Sequence, residues 1–321
     1  MTELKMGILG TSEIAFRRFL PALKKAGNWE YVGVASRTLQ KTEKFVGQYG
    51  GRGYGSYDEL IADQEVNAVY LPLPPSLHFE WARKALENGK HVFLEKPSAV
   101  CYKETENLVK LASEKGLALR ENYMFTEHPQ LQAIKDILRK GEIGELRLIR
   151  IAFGFPRRQG QDFRYNKALG GGSLLDCGGY TVKLASILLG TQVQCQYANL
   201  FQDNFSDVDL YGSAVIENEK KQVVQLSFGM DNAYKCEVEI WGQKGSVRSP
   251  RIFTAPADAM VKIEVEIAGN KEVREISAND QFYGSLMQFE KCINEPKTRE
   301  KEYQELLLQA RLMEQIFQMA E

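Results

Sequence analysis

The feature that most constrains the fold is the alternation of short apolar runs and helical patterns over the first 120 or so residues. The first apolar run, 5–9, ends in a glycine, and apolar residues then recur at helical spacing from Ile14 to Leu23. Further strands are predicted at 31–35, 68–71, 91–94 and 117–119, and further helices at 39–49, 57–61, 77–87 and 105–113. Buried strands joined by helical crossovers form a doubly wound parallel sheet, so this part is predicted to be α/β.

The pattern changes after Asn122. A helix is predicted at 129–139, a strand at 147–153, a helix ending near 189, and two C-terminal helices at 281–293 and 300–320. Between them, residues 193–276 alternate apolar and polar positions with tight turns, which indicates a mostly antiparallel open sheet. We therefore expect two domains, 1–121 and a second α+β domain at 122–321, and the chain length fits two cores.

Charge and cysteine usage exclude several classes of protein. The 41 basic and 42 acidic residues nearly cancel, so we expect neither a nucleic acid nor a membrane partner. We expect no secretory signal at the start, and no apolar stretch of the sequence is long enough to span a bilayer. Five widely spaced cysteines without a C-x-x-C pair favour the cytoplasm, and three histidines without ligand spacing predict no metal site.

A glycine turn joins the first strand to the first helix. Gly10 and Ala15 match the dinucleotide fingerprint G-x-G-x-x-G/A, whereas Ser12 replaces its middle glycine. A helix that begins there offers free N–H groups to a pyrophosphate. The position favours a cofactor site over an ordinary glycine turn, and the predicted contacts are Gly10, Thr11, Ser12, Glu13 and Ile14.

The end of the second strand predicts which dinucleotide binds. Proteins that prefer NAD often carry an acid there to bind the ribose 2′-hydroxyl. This chain has Ser36 and Arg37, with Lys41 one turn later. A hydroxyl and two cations suit a 2′-phosphate, so NADP(H) is the expected cofactor and NAD(H) is the alternative. The alternative reading of Arg37 is a solvated surface arginine.

Two further segments carry candidate catalytic groups. Lys96 follows the strand 91–94, and ligands of open α/β sheets lie at the carboxyl ends of strands. Three glycines from Gly170 precede Asp176 and Tyr180, which would share one face of a helix. A carboxylate and a phenol so placed can bind a hydroxylated substrate and exchange a proton with it. Alone, each segment fits a surface lysine or a glycine hinge before a core helix equally well.

In combination, these segments resemble the Gfo/Idh/MocA oxidoreductase family over nearly the whole chain. The family's motifs correspond to the glycine turn 10–15, the segment Leu73-Pro74-Pro75-Ser76-Leu77-His78, the signature Glu95-Lys96-Pro97 and the segment from Gly170 to Tyr180. Tyr180 stands where inositol-dehydrogenase-like members carry histidine. With a tyrosine at this position, the chain resembles the branch of the family that contains glucose–fructose oxidoreductase, dimeric dihydrodiol dehydrogenase and the nucleotide-sugar 3-ketoreductases.

The resemblance implies a Rossmann domain, NAD(P)-dependent oxidoreductase activity and a set of roles. NADPH would supply a hydride to a carbonyl carbon, Tyr180 a proton, Lys96 a polarising charge, and Asp176 would orient the substrate. Leu73, Pro74, His78, Glu95 and Lys96 would contact the cofactor, and Arg164 would reach the nicotinamide ribose or the substrate. Lys96 and Tyr180 would converge over the nicotinamide, and the Lys96–Pro97 peptide bond would be cis.

The resemblance leaves the substrate open. The first hypothesis is a sugar or nucleotide-linked keto sugar, and the second is a dihydrodiol or an aldose such as xylose. A different class would be a cofactor-sensing regulator without turnover, and a hydrolytic use of the fold also exists. The family implies a homodimer or homotetramer through the C-terminal sheet. There the alternating Val238, Ile240, Val261, Ile263 and Val265 would form an exposed apolar face.

Overall fold

A computed structural model describes residues 3–160 and 162–321. These residues form two compact units. The first unit comprises the described residues up to Asn122 together with Phe282–Leu307, and the second comprises Tyr123–Gln281 and Leu308–Glu321. The functional division into a cofactor domain and a substrate domain stays a prediction.

The helices follow the predicted order along the chain. They are α1 (Leu20–Lys25), α2 (Glu43–Tyr49), α3 (Tyr57–Ala62), α4 (His78–Glu87), α5 (Tyr102–Lys115), α6 (Pro129–Arg139), α7 (Gly179–Leu189), α8 (Gln281–Asn294) and α9 (Pro296–Ala320). Two π-helical turns, Ala15–Phe19 and Leu174–Gly178, lead directly into α1 and α7. Short 3-10 turns cover Leu39–Thr42, Pro75–Leu77, Met124–Glu127, Phe163–Tyr165 and Lys167–Leu169.

The first unit contains a six-stranded parallel sheet, which confirms the predicted α/β fold. Its strands are β1 (Leu4–Leu9), β2 (Trp29–Ala35), β3 (Arg52–Tyr54), β4 (Ala68–Leu71), β5 (His91–Glu95) and β6 (Leu119–Asn122). Their order in the sheet is β3-β2-β1-β4-β5-β6, with parallel pairing throughout. The order reverses beside β1, so the carboxyl ends of β1 and β4 border the position where such sheets bind ligands.

Helices cover both faces of this sheet, and most residues in the middle of its strands are apolar and buried. On one face, the Tyr70 ring stacks on the Phe19 ring, and the Phe93 ring stacks on the Phe289 ring of α8. On the other face, α3, α4 and α5 bury Leu60, Leu86 and Leu108 against the strands. This double coverage explains the continuous apolar runs in the sequence.

The second unit contains an eight-stranded, mostly antiparallel sheet, as predicted. Its strands are β7 (Leu146–Gly154), β8 (Val193–Phe201), β9 (Tyr211–Asn218), β10 (Val223–Gly229), β11 (Lys235–Gly242), β12 (Gly245–Ser249), β13 (Val261–Ile267) and β14 (Asn270–Ile276). Their order is β14-β13-β12-β11-β7-β10-β9-β8. The first strand in sequence, β7, lies inside the sheet, where it pairs in parallel with β10.

The exposed face of this sheet is not the one predicted. Helix α7 packs against β7, β9 and β10, and one face of the sheet is buried. All five residues expected to form the exposed apolar face, Val238, Ile240, Val261, Ile263 and Val265, are instead buried. The opposite face carries the exposed aromatic residues Tyr197, Phe201, Tyr211 and Trp241 among charged ones. Alternation fixed which residues share a face, but not which face the helices cover.

All five cysteines are free, and four of them are buried. Within the described part of the chain, no helix combines the length and the apolar composition needed to cross a bilayer.

Candidate functional site

The turn after β1 has the geometry of a phosphate-binding loop. Gly10 has φ +117°, and a Cβ there would lie 2.7 Å from Cδ2 of Leu73, so only glycine fits without strain. The Ser12 hydroxyl accepts a hydrogen bond from the Ala15 N–H at 3.2 Å. Ser12, which replaces the middle glycine of the fingerprint, therefore caps the start of the helix with its side chain.

The neighbouring side chains of the turn differ in their surroundings. Thr11 is half-buried, and Ile14 is exposed. The Glu13 carboxylate pairs with Lys44 at 2.9 Å and with Arg17 at 2.6 Å, and hydrogen bonds from Lys44 and then Arg17 lower its pKa. Any contact of Glu13 with a cofactor would thus come from its main-chain N–H, and its role stays a prediction.

Two cations lie beyond the end of β2. Ser36 is buried and its N–H donates to the Tyr54 carbonyl, whereas Arg37 and Lys41 are exposed. Neither cation pairs with a carboxylate in the described ranges, in contrast to Arg17 and Lys44 nearby. These side chains are free to bind an anion at the carboxyl edge of the sheet.

The segment after β5 is held by buried polar groups. The Lys96–Pro97 peptide bond is cis, as predicted. The carboxylate of Glu95 accepts from the Tyr70 hydroxyl at 2.6 Å and from Asn122 Nδ2 at 2.7 Å. Burial raises the pKa of Glu95, while these hydrogen bonds and the charge of Lys96 oppose that shift. Lys96 is half-buried, and it directly follows Glu95, whose side chain is held by these hydrogen bonds.

His78 and Glu121 hold the same segment from its other side. The fully buried His78 ring lies with Nδ1 2.6 Å from the Pro97 carbonyl and Nε2 2.8 Å from the Leu73 carbonyl. Burial lowers the pKa of His78 to about 4, so the ring is neutral at pH 7 and donates to one of these carbonyls. The Ser98 N–H donates to Glu121 at 2.7 Å. His78 therefore lies between Pro97 and the loop that contains Leu73 and Pro74, and its N–H binds one of the two carbonyls.

In the second unit, Arg164 links two aspartates. Its Nε donates to Asp176 Oδ2 at 2.8 Å, and its Nη1 donates to Asp162 Oδ1 at 3.1 Å. Burial opposes the charge of Arg164, but the two carboxylates outweigh it and raise the pKa of the guanidinium. Arg164 thus contacts the predicted catalytic Asp176, and its predicted contact with the cofactor or substrate stays a prediction.

Tyr180 lies in a cluster of aromatic rings at the start of α7. Its side chain is buried, with ring centroids 5.1 Å from Tyr123, 5.1 Å from Phe153 and 5.6 Å from Phe253. The phenol oxygen lies 3.7 Å from Sδ of Met124. A thioether is a weak acceptor, so this contact orients the hydroxyl without binding its proton tightly. The predicted convergence of Lys96 and Tyr180 stays a prediction.

The glycines around Asp176 permit close approach of the backbone. A Cβ on Gly171 would lie 2.4 Å from the Arg164 carbonyl, to which the Gly172 N–H donates at 2.9 Å. A Cβ on Gly179 would lie 2.2 Å from the Tyr123 hydroxyl. These glycines therefore admit the turn that contains Arg164 and the ring beside Tyr180, as the glycine-rich segment indicated.

Sequence reasoning missed several residues that hold the site. Asn122 ends β6 and its Oδ1 accepts from Ser285, so a rule about strand ends could have found it. Asp209 contacts the segment that precedes α7, and Met124 contacts Tyr180. No local pattern marks either of these two, because their contacts depend on chain packing between distant segments.

Comparison with known proteins identifies two family models along the chain. The model described as "Oxidoreductase family, NAD-binding Rossmann fold" matches residues 4–123, and the "GFO/IDH/MocA C-terminal domain" matches residues 131–248. A dTDP-3,4-didehydro-2,6-dideoxy-alpha-D-glucose 3-reductase from Saccharopolyspora spinosa is 36% identical, over 98% of this chain and 97% of that protein. A trans-1,2-dihydrobenzene-1,2-diol dehydrogenase from Xenopus laevis is 30% identical, over 80% and 78%.

Solved structures give the same result. A 3-ketoreductase from Actinomadura kijaniata, in complex with NADP and TDP-benzene, superposes with a TM-score of 0.95. It is 34% identical, and the alignment covers 99% of this chain and 98% of that one. Structures of that enzyme include variants with a lysine replaced by alanine or glutamate and with a tyrosine replaced by phenylalanine.

Proposed function

Since this chain belongs to the Gfo/Idh/MocA oxidoreductase family, we propose that it reduces the keto group of a nucleotide-linked sugar with NADPH. The chain is an NADP-dependent oxidoreductase that acts on sugar carbonyl or alcohol groups. The observation that supports the reaction is a pair of buried side chains in the second unit. Tyr180 and Asp176 lie one helical turn apart, and Asp176 is bound by Arg164. The nucleotide-linked substrate is proposed from the S. spinosa and A. kijaniata relatives.

The residues at the carboxyl edge of the parallel sheet fit the cofactor. Gly10 leaves room for a close approach of phosphate, and Ser12 caps a helix whose first N–H groups face that edge. Arg37 and Lys41 would bind the 2′-phosphate, since both are exposed cations without a carboxylate partner in the part of the chain described. When bound, NADPH supplies a hydride to the carbonyl carbon.

Tyr180 is proposed to donate the proton that the reduced oxygen requires. Its phenol is buried among aromatic rings, and the Met124 thioether that it contacts is a weak acceptor, which does not compete strongly with a substrate oxygen for the proton. Lys96 would polarise the carbonyl as a cation, and Asp176 would accept a hydrogen bond from a substrate hydroxyl. The lysine and the tyrosine replaced in the A. kijaniata enzyme are separated by as many residues as Lys96 and Tyr180.

The decisive experiment follows NADPH absorbance with the purified protein and a dTDP-linked 3-keto sugar generated in the assay. We expect consumption that depends on the keto sugar, and no consumption with the corresponding dTDP-linked alcohol. Oxidation of a cyclic diol or an aldose with NADP⁺, in the absence of keto-sugar reduction, would favour the activity named for the X. laevis relative. NADPH binding without turnover on any of these compounds would favour a cofactor-sensing regulator.

We further propose that the chain forms a homodimer or homotetramer through the open face of its eight-stranded sheet. Phe201 stacks on Tyr211 there at 4.6 Å, and Arg150 lies over the Trp241 ring at 4.2 Å. Exposed aromatic residues on a flat sheet favour burial against a second copy.

The five free cysteines support the predicted cytoplasmic location, where thiols remain reduced.

Light scattering tests this assembly. Trp241→Glu should shift the protein toward the monomer, whereas Met260→Glu, an equally non-conservative change at an exposed position, should not. A monomeric wild-type protein at micromolar concentration would refute the proposal.

A further inference from the structure

Asp209 is a carboxylate that the proposed reaction does not use. It lies in the loop between β8 and β9, flanked by Val208 and Leu210, which are buried with Met230 in a small apolar cluster. This packing directs the acid away from solvent and toward the segment that precedes α7. Burial raises the pKa of Asp209, while hydrogen bonds to its carboxylate oppose that shift.

The carboxylate contacts the first residues of the helical segment that includes both predicted catalytic groups of this unit. Its Oδ2 accepts from the Ser173 hydroxyl at 2.6 Å and from the Leu174 N–H at 2.7 Å. The Asp209 carbonyl also accepts from the Ser173 N–H at 2.8 Å. An acid that binds the free N–H groups at a helix start stabilises and orients that helix.

Gly172 is matched to this acid. Its φ is +122°, and a Cβ there would lie 2.4 Å from Asp209 Oδ1. The Gly172 carbonyl in turn accepts from the Asp176 N–H at 3.0 Å, which begins the helical hydrogen bonding. The third glycine of the run thus makes space for the carboxylate, and the carboxylate fixes the direction in which the helix begins.

Other contacts hold later parts of the helical segment, which also packs against β7, β9 and β10. It begins with the π-helical turn Leu174–Gly178, so its side chains do not follow α-helical spacing until Gly179. Arg164 holds Asp176, and Gln309 donates to the Gly179 carbonyl at 2.9 Å. Asp209 is the group that binds the beginning of the segment, before both catalytic candidates.

We infer that Asp209 is a positioning residue, whose carboxylate aims Asp176 and Tyr180 by anchoring the start of their helical segment. The inference rests on the proposed function for the chemical roles of those two residues, but not for the anchoring itself. A displacement of about 1 Å at a catalytic group can lower turnover about 100-fold, so loss of the anchor should be visible in kcat.

The test compares Asp209→Ala and Asp209→Asn with Asp203→Ala. Asp203 is a matched control because it belongs to the same loop and accepts from the Phe205 N–H within that loop. Asp209→Ala should lower kcat about 10- to 100-fold and leave the Kd of NADPH within about 2-fold. Asp209→Asn keeps one acceptor oxygen and should retain more turnover, and Asp203→Ala should resemble the wild type.

A double-mutant cycle separates positioning from general damage. If Asp209 acts through Asp176 and Tyr180, Asp209→Ala should cost less than about 3-fold in an Asp176→Asn/Tyr180→Phe background, since both aimed groups are already gone. An equal loss in both backgrounds, or normal turnover of Asp209→Ala, would overturn the inference.

Hydrogen–deuterium exchange provides a test of the anchoring that does not depend on turnover. Amides of residues 173–180 should exchange faster in Asp209→Ala and not in Asp203→Ala, even if the wild type reduces no sugar. Unchanged exchange over this segment would defeat the inference alone. Failure of the wild type to consume NADPH, with faster exchange in Asp209→Ala, would defeat only the proposed function.

Discussion

Tyr180→Phe separates chemistry from packing because the structure gives the ring and the hydroxyl different partners. The ring contacts Tyr123, Phe153 and Phe253, and phenylalanine preserves those contacts. The hydroxyl has a weak contact with Met124 at 3.7 Å. Loss of the hydroxyl should cost about 1 kcal/mol of unfolding free energy, as for an ordinary hydrogen bond, and shift Tm by about 2 °C.

The kinetic effect should be far larger than this structural one. Loss of a positioned acid lowers turnover about 10²- to 10⁴-fold, which corresponds to about 2.7–5.5 kcal/mol of activation free energy. The assay is steady-state NADPH consumption with a saturating keto sugar, together with NADPH binding by fluorescence, which should not change. Lys96→Ala should lower turnover at least as much, because it removes the polarising charge.

Tyr123→Phe is the matched control. Tyr123 is buried in the same cluster, and its hydroxyl accepts from Gln309 Nε2 at 3.2 Å. We expect a loss of about 1 kcal/mol of stability and turnover within about 3-fold of the wild type. Near-normal turnover of Tyr180→Phe would refute our assignment, and equal losses in both variants would mean that packing of the cluster, rather than the phenol proton, limits the reaction.

Three further predictions follow from single groups. Arg37→Ala should raise the KM for NADPH more than the KM for NADH, by about 10-fold or more for one lost charge-assisted contact, and equal changes would contradict a 2′-phosphate contact. Arg164→Met leaves the Asp176 carboxylate without its guanidinium and should cost about 3 kcal/mol in urea unfolding, with Arg164→Lys intermediate. The pKa of His91 is lowered to about 4 by burial and by the charge of Arg299, so it binds a proton more readily when unfolded. Stability should therefore fall as pH decreases from 6.5 toward 4, with about 2 kcal/mol of the loss at pH 5 due to His91, and His91→Asn should remove about that much of it.

The sequence predicts elements best where apolar residues fill them. The four buried residues of β4 and the amphipathic α6 have the predicted bounds, because polar residues or prolines adjoin them. By contrast, β6 was predicted at 117–119 but covers Leu119–Asn122. Its polar residues are buried because Arg120 pairs with Glu302 and Glu121 binds the Ser98 N–H, partners that no local pattern shows. The three-residue strand β3 was missed because Gly51 and Gly53 suggest a loop.

The same limit separates the reactive residues of the second unit from those that hold them. Asp176 and Tyr180 are visible in the sequence because a glycine-rich segment places a carboxylate and a phenol close together. Asp162 and Asp209 are not, although the first binds Arg164 and the second binds the Leu174 N–H. Three aspartates from three segments thus have three different roles, which predicts graded results for their asparagine variants. Asp176→Asn should impair turnover most, Asp209→Asn less because an acceptor remains, and Asp162→Asn least because Arg164 keeps its bond to Asp176.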